Sequence, residues 1–154
     1  MALMFHRTNR STKLGTYGEH LVAHWLERAG FEAAIADCVG IDIVAVGTKG
    51  ERLGIGVKTR FYTRLREGGI AKIEDIPKIR KTCAVWSVEP WLALYAESCD
   101  EAVLVAMPLD HYLKKYLHKS GNWCMLKIDP AAVSKMSVDA HCRFVTFRMS
   151  GNWF

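Results

Sequence analysis

Two short apolar segments in the first part of the chain each contain one ionisable residue. Residues 40–46 have the sequence GIDIVAV and contain Asp42, and residues 53–59 have the sequence LGIGVKT and contain Lys58. Most of the other residues are β-branched or small and apolar, which is typical of buried strands. Each segment is therefore predicted to be a strand that brings one charge into a largely apolar sheet.

The stretch between the two segments, residues 47–51, is bounded by glycines and suits the turn of a β-hairpin. Pairing across this five-residue loop places Asp42 opposite Gly56 and Lys58 one diagonal step away on the same face. Diagonal neighbours in a sheet are about 7–8 Å apart, within reach of a lysine. A charge in such surroundings needs a partner or a ligand. The two residues therefore form either an ion pair at the end of the sheet or part of a functional site.

An acid at the start of one strand, followed by Val-Lys on the next, resembles the signature of the PD-(D/E)XK nuclease superfamily. Within it, the chain most resembles the archaeal Holliday junction resolvases, whose first helix carries a glycine-rich approach to a glutamate. That motif is matched here by residues 15–19, which end in Glu19. The later motifs of the family are matched by Asp42-Ile43-Val44, in part by Gly56-Val57-Lys58, and by Glu89-Pro90. The resemblance extends over about residues 13–107.

This resemblance implies an α/β protein with a restriction endonuclease-like core, in which a mixed β-sheet is flanked by helices. It also implies a DNA endonuclease that hydrolyses phosphodiester bonds with Mg²⁺ or Mn²⁺, using oxygen ligands from carboxylates. Asp42 and Glu19 are then the metal ligands, and Lys58 neutralises charge on the phosphate or orients the attacking water. The resolvases further imply a homodimer, branched DNA as substrate, and a part in DNA recombination and repair.

The sequence departs from the family at Gly56, where the family carries a second metal-binding carboxylate. Three explanations remain open: the acid has moved to Glu74 or Asp75, near the start of the next helix; Glu19 and Asp42 suffice; or the site no longer cuts. The glycines of this strand either leave room for an acid or indicate close packing against a helix. Glu74 and Asp75 are equally consistent with acids in a first helical turn. The alternative to an enzyme is a catalytically degenerate nucleic-acid-binding module.

Glu19 also has two interpretations. Residues 16–19 fit a capping box, in which the glutamate bonds to the backbone at the start of a helix. Apolar residues at helical spacing instead predict a helix that begins near Ser11 or Thr12, with Glu19 beside its buried stripe. That position can face a sheet edge, as a metal site requires, but it is also where solvated glutamates commonly lie.

The chain carries a net charge of +5 and a calculated isoelectric point near 9.0, which suit a polyanionic partner. Basic residues cluster before the first helix, after the Lys58 strand and at the start of the next helix. Such clusters can contact phosphates, and aromatic residues among them, Phe61 and Tyr62, can stack on an unpaired base. A solvated loop is the alternative for residues 64–69. The predicted nucleic-acid-binding residues are Arg7, Arg10, Lys13, Arg60, Arg64, Arg66 and Lys72.

Other features of the sequence exclude several classes of protein. Five widely separated cysteines without Cys-x-x-Cys spacing predict reduced thiols, not a disulfide framework or a zinc site. Residues 1–13 lack the apolar core of a signal peptide, and no apolar run is long enough to span a membrane. We therefore expect a cytoplasmic protein of one domain, with a basic leader (1–12), a core (about 13–107) and a C-terminal extension (about 108–154).

The same periodicities predict the elements of the fold. Helices are expected at about 12–29 and 73–87, with a third that begins at Pro108 and includes Leu117, and a short one at 130–135. Strands are expected at about 32–36, 41–46, 53–60, 91–97, 101–107, 123–128 and 142–147.

Overall fold

The computed structural model describes residues 7–62, 70–73 and 76–148, including the side chains of all of these except 7–14, 37 and 70. The helices are α1 (Arg7–Arg28), α2 (Ile76–Trp86), α3 (Leu109–His111), which continues as a π-helical turn at Tyr112–Tyr116, and α4 (Pro130–Ser137). The strands are β1 (Phe31–Cys38), β2 (Ile41–Gly47), β3 (Arg52–Phe61), β4 (Ile70–Ile73), β5 (Glu89–Glu97), β6 (Glu101–Pro108), β7 (Leu117–Ser120), β8 (Trp123–Lys127) and β9 (Arg143–Arg148).

Six strands form a mixed sheet in the order β1-β2-β3-β5-β6-β9. Only the pair β3 and β5 is parallel, and the other neighbours are antiparallel. A parallel pair needs a crossover connection, which here contains β4 and α2. The β2–β3 hairpin has the predicted register, with Val46 opposite Arg52. A mixed sheet flanked by helices is therefore confirmed.

The alternation of side chains along β3 divides the interior into two cores. Leu53, Ile55 and Val57 face α1 and pack with Val22 of that helix. The intervening Gly54 and Gly56 face α2, whose Ile79 and Cys83 belong to the second core. Because successive strand residues point to opposite faces, one strand serves both cores. The sheet is therefore covered by α1 on one face and by α2 on the other.

A second, three-stranded sheet in the order β4-β8-β7 was not predicted from the sequence. Its inward residues Ala71, Ile73 and Leu126 are buried in the α2-side core. The sequence predicted a helix from residue 73, but β4 occupies Ile70–Ile73 and the helix begins at Ile76. These strands have four or five residues each, so the alternation within each is too short to distinguish a strand from a helix end.

Two further boundaries differ from the predictions. Helix α1 begins at Arg7, before the predicted start near residue 12, and therefore includes part of the predicted basic leader. The capping-box interpretation of Glu19 is wrong, because residues 16–19 lie in the middle of this helix. The helix predicted from Pro108 ends earlier, at Tyr116, and Leu117 begins β7 instead.

The structure agrees with two of the predicted exclusions for the residues it describes. Among the described residues, no helix is long and apolar enough to cross a membrane. All five cysteines are free thiols. Cys83 and Cys142 are buried, Cys38 and Cys124 are partly buried, and Cys99 is exposed.

Candidate metal and nucleic-acid site

Asp42 lies where β2 and β3 cease to pair. The register between these strands ends at the pair Ile43 and Ile55. At the next position, the Oδ2 atom of Asp42 accepts a hydrogen bond of 2.6 Å from the backbone N–H of Val57. Hydrogen bonds from a backbone N–H to a carboxylate are among the stronger ones in proteins. The carboxylate is therefore fixed in the gap between the two strands and stays half-buried.

Lys58 follows directly after the residue that binds Asp42. It belongs to the row of β3 side chains that includes Gly56 and Arg60, and its parallel partner Leu94 lies in the α2-side core. Lys58 therefore emerges on the α2 face, half-buried, one residue from the amide that holds the acid. The adjoining strands thus bring the acid and the lysine to one end of the sheet. Their chemical roles remain predictions.

Helix α1 approaches the same end of β3 from the opposite face. Gly18 is buried against Thr59, and a Cβ atom at this glycine would collide with the threonine side chain. Such an approach is possible only without a side chain at position 18. Glu19 follows Gly18 and is half-buried, so α1 brings it to the level of Lys58 along β3.

The α1 side of this region also contains polar groups that the sequence did not single out. The buried hydroxyl of Thr59 has no hydrogen-bond partner among the residues that the structure describes. Beside it on β5, the hydroxyl of Tyr95 donates a 2.5 Å hydrogen bond to Glu97. Burial, followed by this hydrogen bond and the charge of Glu97, raises the pKa of Tyr95 well above its usual value. Tyr95 is therefore a neutral donor at neutral pH.

The position of the missing carboxylate is filled by other atoms. A Cβ atom built at Gly56 would lie 3.0 Å from Cδ1 of Ile79 and 3.2 Å from the carbonyl oxygen of Gly40. At Gly54, the corresponding distances to Val88 and Cys83 are 2.6 and 2.7 Å. Of the two alternatives for these glycines, the structure supports close packing against a helix, because Ile79 and Cys83 of α2 pack directly on them. Glu74 and Asp75 lie outside the described residues.

The predicted DNA-binding residues are distributed over three parts of the chain. Arg7, Arg10 and Lys13 lie on the first turns of α1, and Arg64 and Arg66 lie outside the described residues. Arg60 donates hydrogen bonds to the carbonyl oxygens of Thr59, at 2.8 Å, and Lys72, at 3.3 Å. The end of β3 is therefore joined to β4, and the structure brings Arg60 and Lys72 together.

A second cluster of potential metal ligands was missed by the sequence analysis. Ligand atoms of His111, Asp139 and Cys142 lie within 4.8 Å of one another. However, three groups already bond to Oδ2 of Asp139: the ring of His111 at 2.9 Å, the ammonium of Lys115 at 2.6 Å and the hydroxyl of Tyr116 at 2.6 Å. These residues are far apart in sequence, which is why no motif predicted them.

The environment of Asp139 indicates a structural role. Its side chain is only 3% exposed. Hydrogen bonds from Lys115, then Tyr116 and His111, hold the pKa of this carboxyl well below its usual value. A thiol and an imidazole are also unlike the all-oxygen ligands that magnesium prefers. We therefore assign the cluster to the connection between the π-helical turn and the loop before β9, and not to the predicted magnesium site.

The candidate site is not a closed pocket. An apolar cavity of about 460 Å³ lies between α1 and the sheet, lined in part by Trp25, Leu53, Trp91 and Phe144. Leu53 and Trp91 are near the beginnings of their strands, at the end of the sheet away from Lys58. Asp42 and Lys58 lie instead toward the other end of β3, and neither lines this cavity.

The fold has known relatives among solved structures. No protein-family model and no curated protein matches the chain. Hjc, a Holliday junction resolvase from the archaeal hyperthermophile Archaeoglobus fulgidus, is similar to 77% of this chain and 85% of its own, with a TM-score of 0.52 and 20% identity. A restriction endonuclease in complex with substrate DNA is similar to 91% of this chain and 73% of its own. Its TM-score of 0.44 and identity of 15% are too low to support a conclusion about this chain. The chain thus has the predicted restriction endonuclease-like fold.

Proposed function

We propose that this chain is a metal-dependent DNA endonuclease that selects its substrate by DNA structure, as a Holliday junction resolvase does. One observation carries the proposal. The carboxylate of Asp42 is held on the backbone N–H of Val57, in the gap between two diverging strands and next to Lys58. An acid fixed at an open sheet end beside an amine suits a phosphate and a divalent cation.

The residues present fit a magnesium or manganese ion. Mg²⁺ is commonly held by one or two protein carboxylates, with water and substrate phosphate as the other ligands. Asp42 provides one carboxylate and Glu19, from α1, provides the second, with Glu74 or Asp75 as a further candidate. When bound, the ion polarises the phosphate and activates water. Lys58 contacts the phosphate and neutralises the charge that develops on it.

The distribution of charge supports DNA as the substrate. The net charge is +5, and contacts to phosphates supply most of the affinity of proteins for nucleic acid. We assign these contacts to Arg7, Arg10, Lys13, Arg60, Arg64, Arg66 and Lys72. A homodimer would place two cuts symmetrically on branched DNA. Roles in recombination and repair, and the cytoplasmic location, remain predictions of this account.

A second candidate function is a DNA-binding module that has lost catalysis. The packing of Ile79 and Gly40 against Gly56 favours it, because no side chain at this position can supply the second carboxylate without movement of α2. The two candidates share the fold and the basic residues. They differ in whether Asp42 binds a metal and whether DNA is cut.

Calorimetry and cleavage assays distinguish the two candidates. We expect titration of Mg²⁺ or Mn²⁺ into the unsubstituted protein to release or absorb heat of binding. The Asp42→Asn variant should show no heat of binding. The metal-loaded protein should cleave branched DNA in preference to duplex or single strands, and Lys58→Ala should lose this cleavage. Glu32→Gln is the matched control, because Glu32 is an exposed acid in β1. It pairs with Val46, at the turn end of the β2–β3 hairpin and away from Asp42. Binding of DNA without metal binding or cleavage would favour the degenerate module.

A further inference from the structure

The small sheet exposes one face that carries a distinctive set of side chains. Cross-strand pairs share a face, and Ala71 pairs with Leu126, which are both buried. The alternate residues of the three strands therefore form the opposite, outer face. We define the outer face by Lys72, His118, Ser120, Trp123, Met125 and Lys127.

Trp123 dominates the outer face. This residue is 54% exposed. The ammonium of Lys72 lies over its ring, 2.8 Å from the centroid, and Lys127 is exposed farther along the same strand. A tryptophan beside lysines is an arrangement suited to stacking on bases while the cations contact phosphates.

The charge around the outer face is of one sign. The 18 residues from 111 to 128 contain four lysines and no acidic residue. The described residues of β4, β7 and β8 likewise contain no acid. A protein surface of this composition attracts a polyanion.

The outer face is also connected to the candidate catalytic site. The guanidinium of Arg60, two residues after Lys58, donates a hydrogen bond to the carbonyl oxygen of Lys72. Lys72 is the residue whose side chain lies on Trp123. The hydrogen bond from Arg60 thus joins the end of β3 that carries Lys58 to the strand that carries Lys72 of the outer face.

We propose that the outer face binds a single-stranded segment of DNA, with a base stacked on Trp123 and the neighbouring phosphates on Lys72 and Lys127. The inference rests on the proposed function and extends it, because it adds recognition of unpaired bases to the substrate. Stacking on an aromatic ring tolerates any base, so the segment is recognised by being unpaired and not by its sequence. This gives the C-terminal extension a role in substrate selection.

Fluorescence anisotropy with labelled oligo(dT) of about 20 nucleotides, in EDTA, tests this assignment without cleavage. Trp123→Ala should weaken binding by about tenfold, whereas Trp123→Phe should keep most of the affinity. Trp86→Ala is the matched control: Trp86 is 44% exposed and its carbonyl contacts Arg52, at the start of β3 and far from Lys58. Lys72→Ala with Lys127→Ala should reduce the slope of log affinity against log salt by about 1.4.

The outcomes separate this inference from the proposed nuclease activity. Equal affinities for oligo(dT) in Trp123→Ala, Trp86→Ala and the unsubstituted protein would overturn the outer-face assignment, even if Asp42→Asn abolishes cleavage. A loss confined to Trp123→Ala would support it, even if no variant cleaves DNA. A tenfold loss of affinity for fully paired duplex as well as for oligo(dT) would also overturn it, because stacking requires an unpaired base.

Discussion

At the scale of single residues, Gly56 is the position that bears most directly on whether the candidate site is a nuclease site or a degenerate one. Its missing side chain is replaced by Cδ1 of Ile79 on one side and by the backbone oxygen of Gly40 on the other. The oxygen belongs to Gly40, which has a φ of +91° and lies directly against the backbone of Lys78 and Ile79 in α2, so this position also requires a glycine. Gly56 therefore allows close packing of α2, and any side chain at this position requires its neighbours to shift by a few tenths of an ångström.

Gly56→Ala is expected to lower the free energy of unfolding by about 1–3 kcal/mol, because the new methyl group overpacks this contact. Ile79→Val removes the Cδ1 atom that the new methyl group would contact. The double variant Gly56→Ala/Ile79→Val should therefore lose less stability than the sum of the losses in the two single variants. Urea denaturation of the four proteins measures both quantities. An alanine variant as stable as the unsubstituted protein would contradict the packing described here.

The contact between α1 and β3 positions Glu19 at the scale of secondary-structure elements. Gly18 is where the helix and the strand approach each other most tightly, since a Cβ atom there would overlap Thr59. Gly15 lies one turn earlier in the same helix, and among the described residues no heavy atom outside this part of the helix comes within 4 Å of a built Cβ atom. A close contact therefore requires glycine at position 18 but not at position 15.

Gly18→Ala should move α1 away from β3 and lower both stability, by about 1–3 kcal/mol, and cleavage. Gly15→Ala should instead raise stability by up to about 1 kcal/mol, because alanine favours a helix. Thermal denaturation and cleavage rates of the two variants test this pair. If Gly15→Ala lost as much activity as Gly18→Ala, the close contact would not be the cause.

Asp139 joins the π-helical turn to the loop before β9. Its carboxylate accepts hydrogen bonds from Lys115, Tyr116 and His111, which lower its pKa. The folded state therefore stabilises the ionised carboxylate relative to the unfolded chain, where the pKa is about 3.9. This stabilisation is present above about pH 4 and is lost as the pH falls toward the lower folded-state pKa.

Asp139→Asn should lower the melting temperature at pH 7, and the difference from the unsubstituted protein should shrink as the pH falls from 4 to 3. The reason is that the carboxyl of the unfolded chain becomes protonated below about pH 4, so the advantage that the folded state gives to the ionised carboxylate decreases, whereas an asparagine does not titrate. Melting curves of both proteins over this pH range provide the test. A constant difference in melting temperature down to pH 3 would show that the charge of Asp139 does not stabilise the fold.

The sequence predicted some elements and contacts and missed others for physical reasons. The β2–β3 hairpin was predictable because apolar residues alternate with a glycine-bounded turn between them. The bond from Val57 to Asp42 was not, because it depends on where the two strands diverge. The small sheet was missed because Ile70 pairs with Lys127, more than fifty residues away, and strands of this length carry little pattern of their own.

At the scale of the whole molecule, the predicted catalytic residues and the apolar cavity lie at opposite ends of the large sheet. The end of β3 nearest Lys58 packs against α1 and is joined to the small sheet by Arg60. Near the beginnings of β3 and β5, apolar residues such as Leu53 and Trp91 line the cavity beside α1. The three predicted catalytic residues, Glu19, Asp42 and Lys58, are at the former end. DNA is therefore expected to cross this end of the molecule.

If phosphate contacts dominate, DNA binding should be strongly dependent on ionic strength. We expect the affinity for a four-way junction to fall by at least tenfold between about 50 and 200 mM salt, because counterions are released on binding. Arg60→Ala should reduce the salt slope by about one unit while leaving the sign unchanged. Electrophoretic mobility shifts at several salt concentrations in EDTA measure this. Salt-independent affinity would contradict a phosphate-dominated interface.

The most direct test of the central claim is the single-turnover cleavage of a labelled four-way junction by the unsubstituted protein, by Asp42→Asn and by Glu32→Gln. The account predicts cleavage that requires Mg²⁺ or Mn²⁺, a loss of at least about 100-fold in Asp42→Asn, and no change in Glu32→Gln. Equal cleavage by the Asp42 variant and the unsubstituted protein, with both folded and bound to DNA, would contradict it.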